Sequence, residues 1–137
     1  GWRLYAATME GRILAITLPD LETAWDHAAG DAVYGAPALA GDTLYVLARD
    51  GRLWMIPVLH PEQARSHALD IIATAGPTPL VDGVLVGSVS GEVLLVDRAT
   101  GTILWRAEVT APIEEPPLVR QRQLIVVGGR GHIQSYR

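Results

Sequence analysis

Short apolar runs alternate with glycine-containing turns along the chain. Four runs precede these turns and four follow them, and most of their residues are β-branched or leucine. Runs of this length and composition predict β-strands. The runs before the turns cover 4–8, 44–48, 84–88 and 124–128, and those after them cover 13–16, 53–56, 93–96 and 133–136. Two runs joined by a short turn predict an antiparallel hairpin.

The turns recur at a constant interval of 40 residues. They are Glu10-Gly11, Asp50-Gly51, Ser90-Gly91 and Arg130-Gly131. A glycine in the second place supplies the positive φ that a tight hairpin turn requires. Pro37, Pro77 and Pro117 keep the same interval. One supersecondary unit is therefore repeated about three and a half times, with no insertion or deletion.

Two further strands complete each unit. An apolar stretch follows each of the three prolines, and proline is tolerated as the first residue of a strand. After the hairpin, the polar turn 97–101 leads into the run Ile103-Leu104-Trp105. We label the strands a (after the proline), b and c (the hairpin) and d (ending at the tryptophan). Each unit is thus a sheet of four antiparallel strands.

The hairpin strands are apolar on both of their alternating faces. Parallel sheets share this property because helices cover them, but the connections here are too short for helical crossovers. The remaining way to cover both faces is to stack sheet on sheet. The sequence therefore predicts an all-β fold, a partial β-propeller of four-stranded antiparallel blades. An all-β sandwich with coincidental periodicity is the alternative.

The predicted propeller segment is a single domain over residues 1–137, with two full and two partial blades. The blade parts are 1–28, 35–69, 75–109 and 115–137. Because a propeller needs at least four blades to close its ring, we expect a piece of a longer propeller. We also expect self-association through the exposed terminal sheets, since large apolar surfaces mark association sites. Several copies forming a ring is the alternative.

The segment 95–105 resembles the pyrroloquinoline-quinone (PQQ) type of propeller repeat. That family includes quinoprotein dehydrogenases and outer-membrane assembly lipoproteins of the BamB type. Asp97, Thr100, Gly101 and Trp105 match the repeat pattern, while Leu95 replaces an alanine. The strong motif is confined to this one copy of the repeat.

The earlier copies match the pattern less well. Ala15 and Trp25 match in the first copy, but Leu21 replaces the glycine. In the second copy, Pro57 and Arg65 occupy the aspartate and tryptophan positions. The likeness spans the whole chain and is specific for the fold rather than for an activity.

The resemblance implies structural roles for its residues. Trp25 and Trp105 are expected to dock against the neighbouring blade, with Asp97 and Gly101 in the turn that precedes strand d. The non-enzymatic, BamB-like branch of the family implies a protein-interaction scaffold in the cell envelope, outside the cytoplasm, with no catalytic residues. The alternatives are part of a quinoprotein or polysaccharide-active enzyme, and the sensor domain of a signalling protein.

Cofactors and metals are not expected. In this family a quinone needs a closed ring, a calcium site and often a cysteine pair, whereas this chain has no cysteine and no candidate calcium cluster. The histidines, His27, His60, His67 and His132, fit no metal-binding spacing and are expected in loops or at strand edges.

Charge and hydropathy narrow the class of partner. The formal net charge is −4 at pH 7, so nucleic acid is not expected. No run of eighteen apolar residues predicts a membrane span. With nucleic acid and a membrane span not expected, the predicted partner is another protein or further blades of the same propeller. Because propellers carry their variable chemistry on loops, Asp50, Glu114 and Glu115 are candidate contacts on the rim of b–c turns and d–a loops.

Overall fold

The computed structural model describes the backbone of residues 2–120, 123–127 and 133–136, and the side chains of residues 2–118. The turn predicted at Gly131 and the histidine at position 132 lie outside the described residues. No helix of the described part is long and apolar enough to cross a membrane. A short 3₁₀ helix covers Pro61–Gln63. The strands are β1 (Trp2–Ala7), β2 (Arg12–Leu18), β3 (Glu22–Ala28), β4 (Ala38–Ala40), β5 (Thr43–Leu47), β6 (Arg52–Pro57), β7 (Arg65–Ala68), β8 (Thr78–Pro79), β9 (Val84–Gly87), β10 (Glu92–Val96), β11 (Ile103–Glu108), β12 (Leu118–Arg120), β13 (Gln123–Val127) and β14 (Ile133–Tyr136).

The strands form four separate antiparallel sheets. Blade 1 has the order β1-β2-β3, blade 2 β4-β5-β6-β7, blade 3 β8-β9-β10-β11 and blade 4 β12-β13-β14. Within each sheet the strands follow one another in chain order, so every connection between hydrogen-bonded neighbours is local. The predicted all-β fold, a partial propeller of antiparallel blades, is confirmed.

The hairpin turns need glycine for two reasons. Gly51 has φ +88° and Gly91 has φ +93°, a region that side chains with a Cβ rarely adopt. A Cβ at Gly51 would also lie 2.3 Å from the carbonyl oxygen of Leu69. The end of strand d returns to this turn, where the Leu69 amide donates to the Gly51 carbonyl at 2.9 Å.

Apolar side chains fill the space between successive sheets. Leu44 and Val46 of β5 face blade 1, where they cluster with Ile13. Tyr45 and Leu47, one residue out of phase, face blade 3. Alternate residues of one strand are therefore buried on opposite sides. Full burial of a leucine or valine contributes about 1.5–3 kcal/mol, so both faces of the central strands stabilise the stack.

Antiparallel pairing sends the connections to two opposite rims. The b–c turns 8–11, 48–51 and 88–91 share one end of the sheets with the d–a loops 29–37, 69–77 and 109–117, and we name this end the upper rim. The a–b turns 41–42 and 80–83 lie at the other end with the c–d turns 19–21, 58–64 and 97–102, and we name this end the lower rim.

Candidate functional site

A groove with a volume of about 490 Å³ crosses the upper rim. Its walls come from three blades: the d–a loop of blade 1, the b–c turn and d–a loop of blade 2, and the b–c turn of blade 3. The lining residues are Asp31, Arg49, Asp50, Asp70, Ile71, Ile72, Val89 and Ser90. No blade contains this set alone, so the groove exists only where the sheets are stacked.

Main-chain hydrogen bonds hold the walls of the groove in place. The Arg49 amide donates to the Ala32 carbonyl at 2.8 Å, and the Arg49 carbonyl accepts from Ala73 at 3.0 Å. The Val89 amide donates to the Ile72 carbonyl at 2.9 Å. Each d–a loop is thereby tied to b–c turns, and the groove is preformed.

The groove combines charge with exposed apolar surface. One oxygen of Asp31 accepts from the Ala32 amide at 2.8 Å, and one oxygen of Asp50 accepts from Arg52 at 3.0 Å. Ile72 is 48% exposed. With three carboxylates and one guanidinium in its lining, the groove has a negative formal charge. It can receive a basic side chain that is flanked by an apolar one.

The three residues predicted as partner contacts, Asp50, Glu114 and Glu115, do not lie together in the structure. Asp50 lies in the groove. Glu114 and Glu115 are exposed in the d–a loop of blade 3, outside the groove lining. The contact role of all three stays a prediction. Sequence reasoning missed Asp31 and Asp70, because these residues occupy different positions of the repeat and only the stacking of blades brings them together.

Trp25 connects blade 1 to blade 2. Its indole Nε1 donates to the Val58 carbonyl at 3.1 Å, and its ring packs against the cluster of Leu44, Val46 and Ile56. Trp105 of blade 3 is 40% exposed, and the side chains beyond Leu118 lie outside the described residues. The docking role expected of the two tryptophans stays a prediction.

Two further contacts between blades involve Trp54 and two of the histidines, for which no role between blades was predicted. Trp54 donates its Nε1 hydrogen to the Ala29 carbonyl at 2.9 Å, and the His27 ring meets its ring at 4.6 Å, nearly edge to face. His67 of blade 2 bonds the Arg98 carbonyl of blade 3 through Nε2 at 3.0 Å. His27 and His67 are separated by one repeat interval, a signal that could have marked them as junction residues.

The turn 97–101 is organised by Asp97. Its carboxylate accepts from the Ala99 amide at 2.8 Å and from the Thr100 amide at 3.1 Å. The hydrogen bond from Thr100, followed by that from Ala99, lowers the pKa of Asp97 because both favour the ionised carboxylate. Gly101 follows at φ +77°, with the ring of His67 directly against it.

Comparison with known proteins identifies the architecture. The sequence model of the family described as outer membrane protein assembly factor BamB matches residues 63–137, which is more than half of the chain. The chain belongs to the BamB family. The predicted PQQ-type, BamB-like repeat is therefore confirmed.

Individual BamB proteins agree with this assignment. BamB of Bordetella pertussis is 28% identical over 118 residues, which cover 85% of this chain and 30% of that protein. The crystal structure of BamB from Moraxella catarrhalis superposes with a TM-score of 0.80 at 21% identity, over 97% of this chain and 42% of that one. The chain thus spans less than half the length of either BamB protein.

A computationally designed protein, Ika4, shares the fold outside the BamB family. It superposes with a TM-score of 0.78 at 15% identity, over 98% of this chain and 84% of that one. This likeness shows the fold alone, since superposed blades need not carry related sites.

Proposed function

We propose that the chain is part of a non-catalytic scaffold in outer-membrane protein assembly, and that it binds a protein partner through the upper-rim groove. The family assignment supports the assembly role, because the matching family is named for it. The observation that carries the proposal is the groove itself, which three blades build and main-chain hydrogen bonds hold open.

The groove suits a protein partner more than a small ligand. It is open to solvent and lined by loops, where recognition surfaces concentrate on rigid scaffolds. The side chains of Arg49 and Asp70 make no hydrogen bond or ion pair with other described residues. Their charges are therefore available to an incoming chain, and a preformed surface lowers the entropic cost of binding.

The test compares two pairs of substitutions on the same rim of the full-length parent protein. Asp70→Arg with Ile72→Asp changes the groove, whereas Glu114→Arg with Glu115→Arg changes exposed carboxylates outside it. We expect the groove pair to abolish co-purification with the outer-membrane protein assembly machinery and the other pair to retain it. Circular dichroism controls for folding. Retention by both variants would refute the groove as the binding surface.

A second association surface is proposed on the outer face of blade 1. Leu4 pairs with Ile16 on this face, and Leu4 is 49% exposed. One repeat later, Leu44 pairs with Ile56 in the same way, and both are covered by blade 1. The outer face of blade 1 therefore has the pattern of a surface that receives another blade, and a second copy of the chain can supply one.

Light scattering tests this self-association. Leu4→Glu should shift the chain toward monomer, because it places a charge in the middle of the apolar face. Leu59→Glu, at an exposed leucine on the lower rim, is the matched control. A chain that is monomeric before any substitution would rule the surface out.

A further inference from the structure

A second cavity, of about 530 Å³, opens on the lower rim between blades 2 and 3. It lies at the opposite end of the sheets from the groove. The lining residues are Ala40, Tyr45, Pro79, Leu80, Val81 and Arg98. Four of the six are aliphatic or proline, and the other two carry hydrogen-bond donors. Like the upper-rim groove, the cavity is open to solvent, and Val81 on its wall is 94% exposed.

Arg98 brings a positive charge to this cavity. Its Nη1 donates to the Val81 carbonyl at 3.1 Å, and its Nη2 donates to the carbonyls of Leu80 and Gly83. These acceptors are neutral, and Arg98 forms no ion pair with a described residue. Three carbonyls position the guanidinium at the a–b turn. In addition to the backbone hydrogen bonds of its turn, the charge of Arg98 contributes to the lowered pKa of Asp97, but no carboxylate of the described residues lies within ion-pair distance of the guanidinium. One Nη1 hydrogen has no acceptor among the described residues.

Tyr45 supplies the second donor. The side chain is only 6% exposed, and its hydroxyl has no hydrogen-bond partner among the described residues. The fully buried side-chain atoms without partners in the described part are His27 Nδ1 and Arg98 Nε. The Tyr45 hydroxyl is therefore not fully buried, and Tyr45 lines this cavity with the Arg98 guanidinium carbon 6.0 Å from the centre of its ring. A hydroxyl in contact with solvent bonds water, and an acceptor of a ligand can take the place of that water.

Among the residues whose side chains the structure describes, no carboxylate lines the cavity. Asp97, the neighbour of Arg98, directs an oxygen to the amides of Ala99 and Thr100 instead. The lining thus offers donors and one positive charge against apolar walls. An anionic acceptor with an apolar body complements both features.

We propose that the lower-rim cavity binds an apolar monocarboxylate. The carboxylate accepts from the Tyr45 hydroxyl and from Arg98 Nη1, and the apolar body lies on Pro79, Leu80 and Val81. Two sources share this chemistry: a free organic acid, and the C-terminal residue of a peptide with an aliphatic side chain. The site is independent of the upper-rim groove and of the partner proposed for it.

4-Phenylbutanoate is the probe, and the uncharged 4-phenylbutanamide is its control. An amide NMR titration of the 137-residue chain should show saturable shifts around 80–83 and 98 with the acid, at a Kd on the order of a millimolar. The amide should bind at least tenfold more weakly, as expected for loss of a hydrogen-bonded charge. Equal binding of acid and amide, or no saturable shift with the acid, would overturn the proposal.

Two substitutions test the residues. Tyr45→Phe removes only the hydroxyl and should weaken binding of the acid about tenfold, whereas Tyr5→Phe, one repeat earlier, should leave it unchanged. Val81→Asp adds a carboxylate at a residue that is 94% exposed, so it should abolish binding without affecting the fold. Unchanged affinity in Tyr45→Phe or in Val81→Asp would contradict the assignment.

The two sources are separated with the tripeptide Gly-Gly-Leu. If the site recognises a peptide terminus, the free-carboxylate form should bind more tightly than 4-phenylbutanoate, and its C-terminal amide should not bind. If the site takes free organic acids, 4-phenylbutanoate should bind more tightly than either form of the peptide. Binding of the amidated peptide as tightly as the free form would contradict a carboxylate site altogether.

Discussion

The contact between Gly101 and His67 gives a direct test of how blades 2 and 3 fit together. An alanine Cβ at position 101 would lie 2.7 Å from both Cγ and Nδ1 of His67. The backbone there has φ +77°, where a Cβ is also strained. Gly101→Ala therefore combines a local backbone cost with a collision between blades.

Gly41 separates these two contributions. It has φ +60°, but a Cβ there would meet nothing within 4 Å. Gly41→Ala should lower the free energy of unfolding by about 1–2 kcal/mol, from the left-handed backbone alone. Gly101→Ala should cost about 1–3 kcal/mol more, because the ring of His67 must move out of a packed junction. Both substitutions reduce the entropy of the unfolded chain equally, so that effect cancels in the comparison.

Urea unfolding followed by tryptophan fluorescence measures these differences. The decisive experiment repeats Gly101→Ala in a His67→Ala background, where the collision is relieved. In that background the cost of Gly101→Ala should fall to that of Gly41→Ala. If Gly101→Ala is no more costly than Gly41→Ala, or if removal of the His67 ring leaves its cost unchanged, the two blades do not meet as described.

Three further predictions concern other contacts. Trp25→Phe and Trp54→Phe should each destabilise the chain by about 1 kcal/mol in urea unfolding, because each leaves a carbonyl between blades without its indole donor; no loss in either would contradict those hydrogen bonds. The pKa of Asp97 is lower in the folded chain than in the unfolded chain, where it is about 3.9. The ionised carboxylate therefore stabilises the fold at pH values above the unfolded pKa, and this stabilisation is lost as the pH falls through the folded pKa. The stability difference between the parent chain and Asp97→Asn should therefore shrink below about pH 4, and a constant difference from pH 7 to 2.5 would refute the assignment. The exposed pair of Arg106 and Glu92 should show a small coupling free energy in a double-mutant cycle that vanishes in 1 M NaCl, and a salt-independent coupling would contradict a screened surface pair.

The features that the sequence predicted are those that a single repeat determines. The hairpin turns follow from Gly51 and its equivalents, because a positive φ is a local requirement. Stacking of sheets follows from strands such as β5, in which both alternating faces are apolar. Neither feature depends on which residue lies opposite in the next blade.

The junctions and sites could not be predicted in this way. Gly101 looks like an ordinary turn glycine, yet its lack of a side chain also makes room for His67 of another blade. Arg98 follows the turn aspartate and would be expected in solvent, yet it holds the a–b turn of its own blade. These contacts join segments that are far apart in the repeat, so no periodic pattern marks them.

Equivalent positions on the sheet edges show what the repeat preserves. Arg12 pairs with Asp26 between β2 and β3, whereas Glu92 pairs with Arg106 at the corresponding positions of β10 and β11. The sign of each charge is reversed, but the cross-strand geometry is kept. Packing between sheets constrains the apolar faces of every copy, while residues outside those faces are free to differ.

The same freedom lets the two rims develop separate chemistry on one pair of blades. Tyr45 lines the lower-rim cavity, and Arg49, four residues later in blade 2, lines the upper-rim groove. Tyr45 lies within β5, whereas Arg49 lies beyond the end of that strand in the b–c turn, so the two sites are at opposite ends of the sheets. Substitutions separated by more than about 10 Å without a shared partner usually act additively. A binding event at one rim is therefore not expected to alter the other unless the stacking of the blades itself changes.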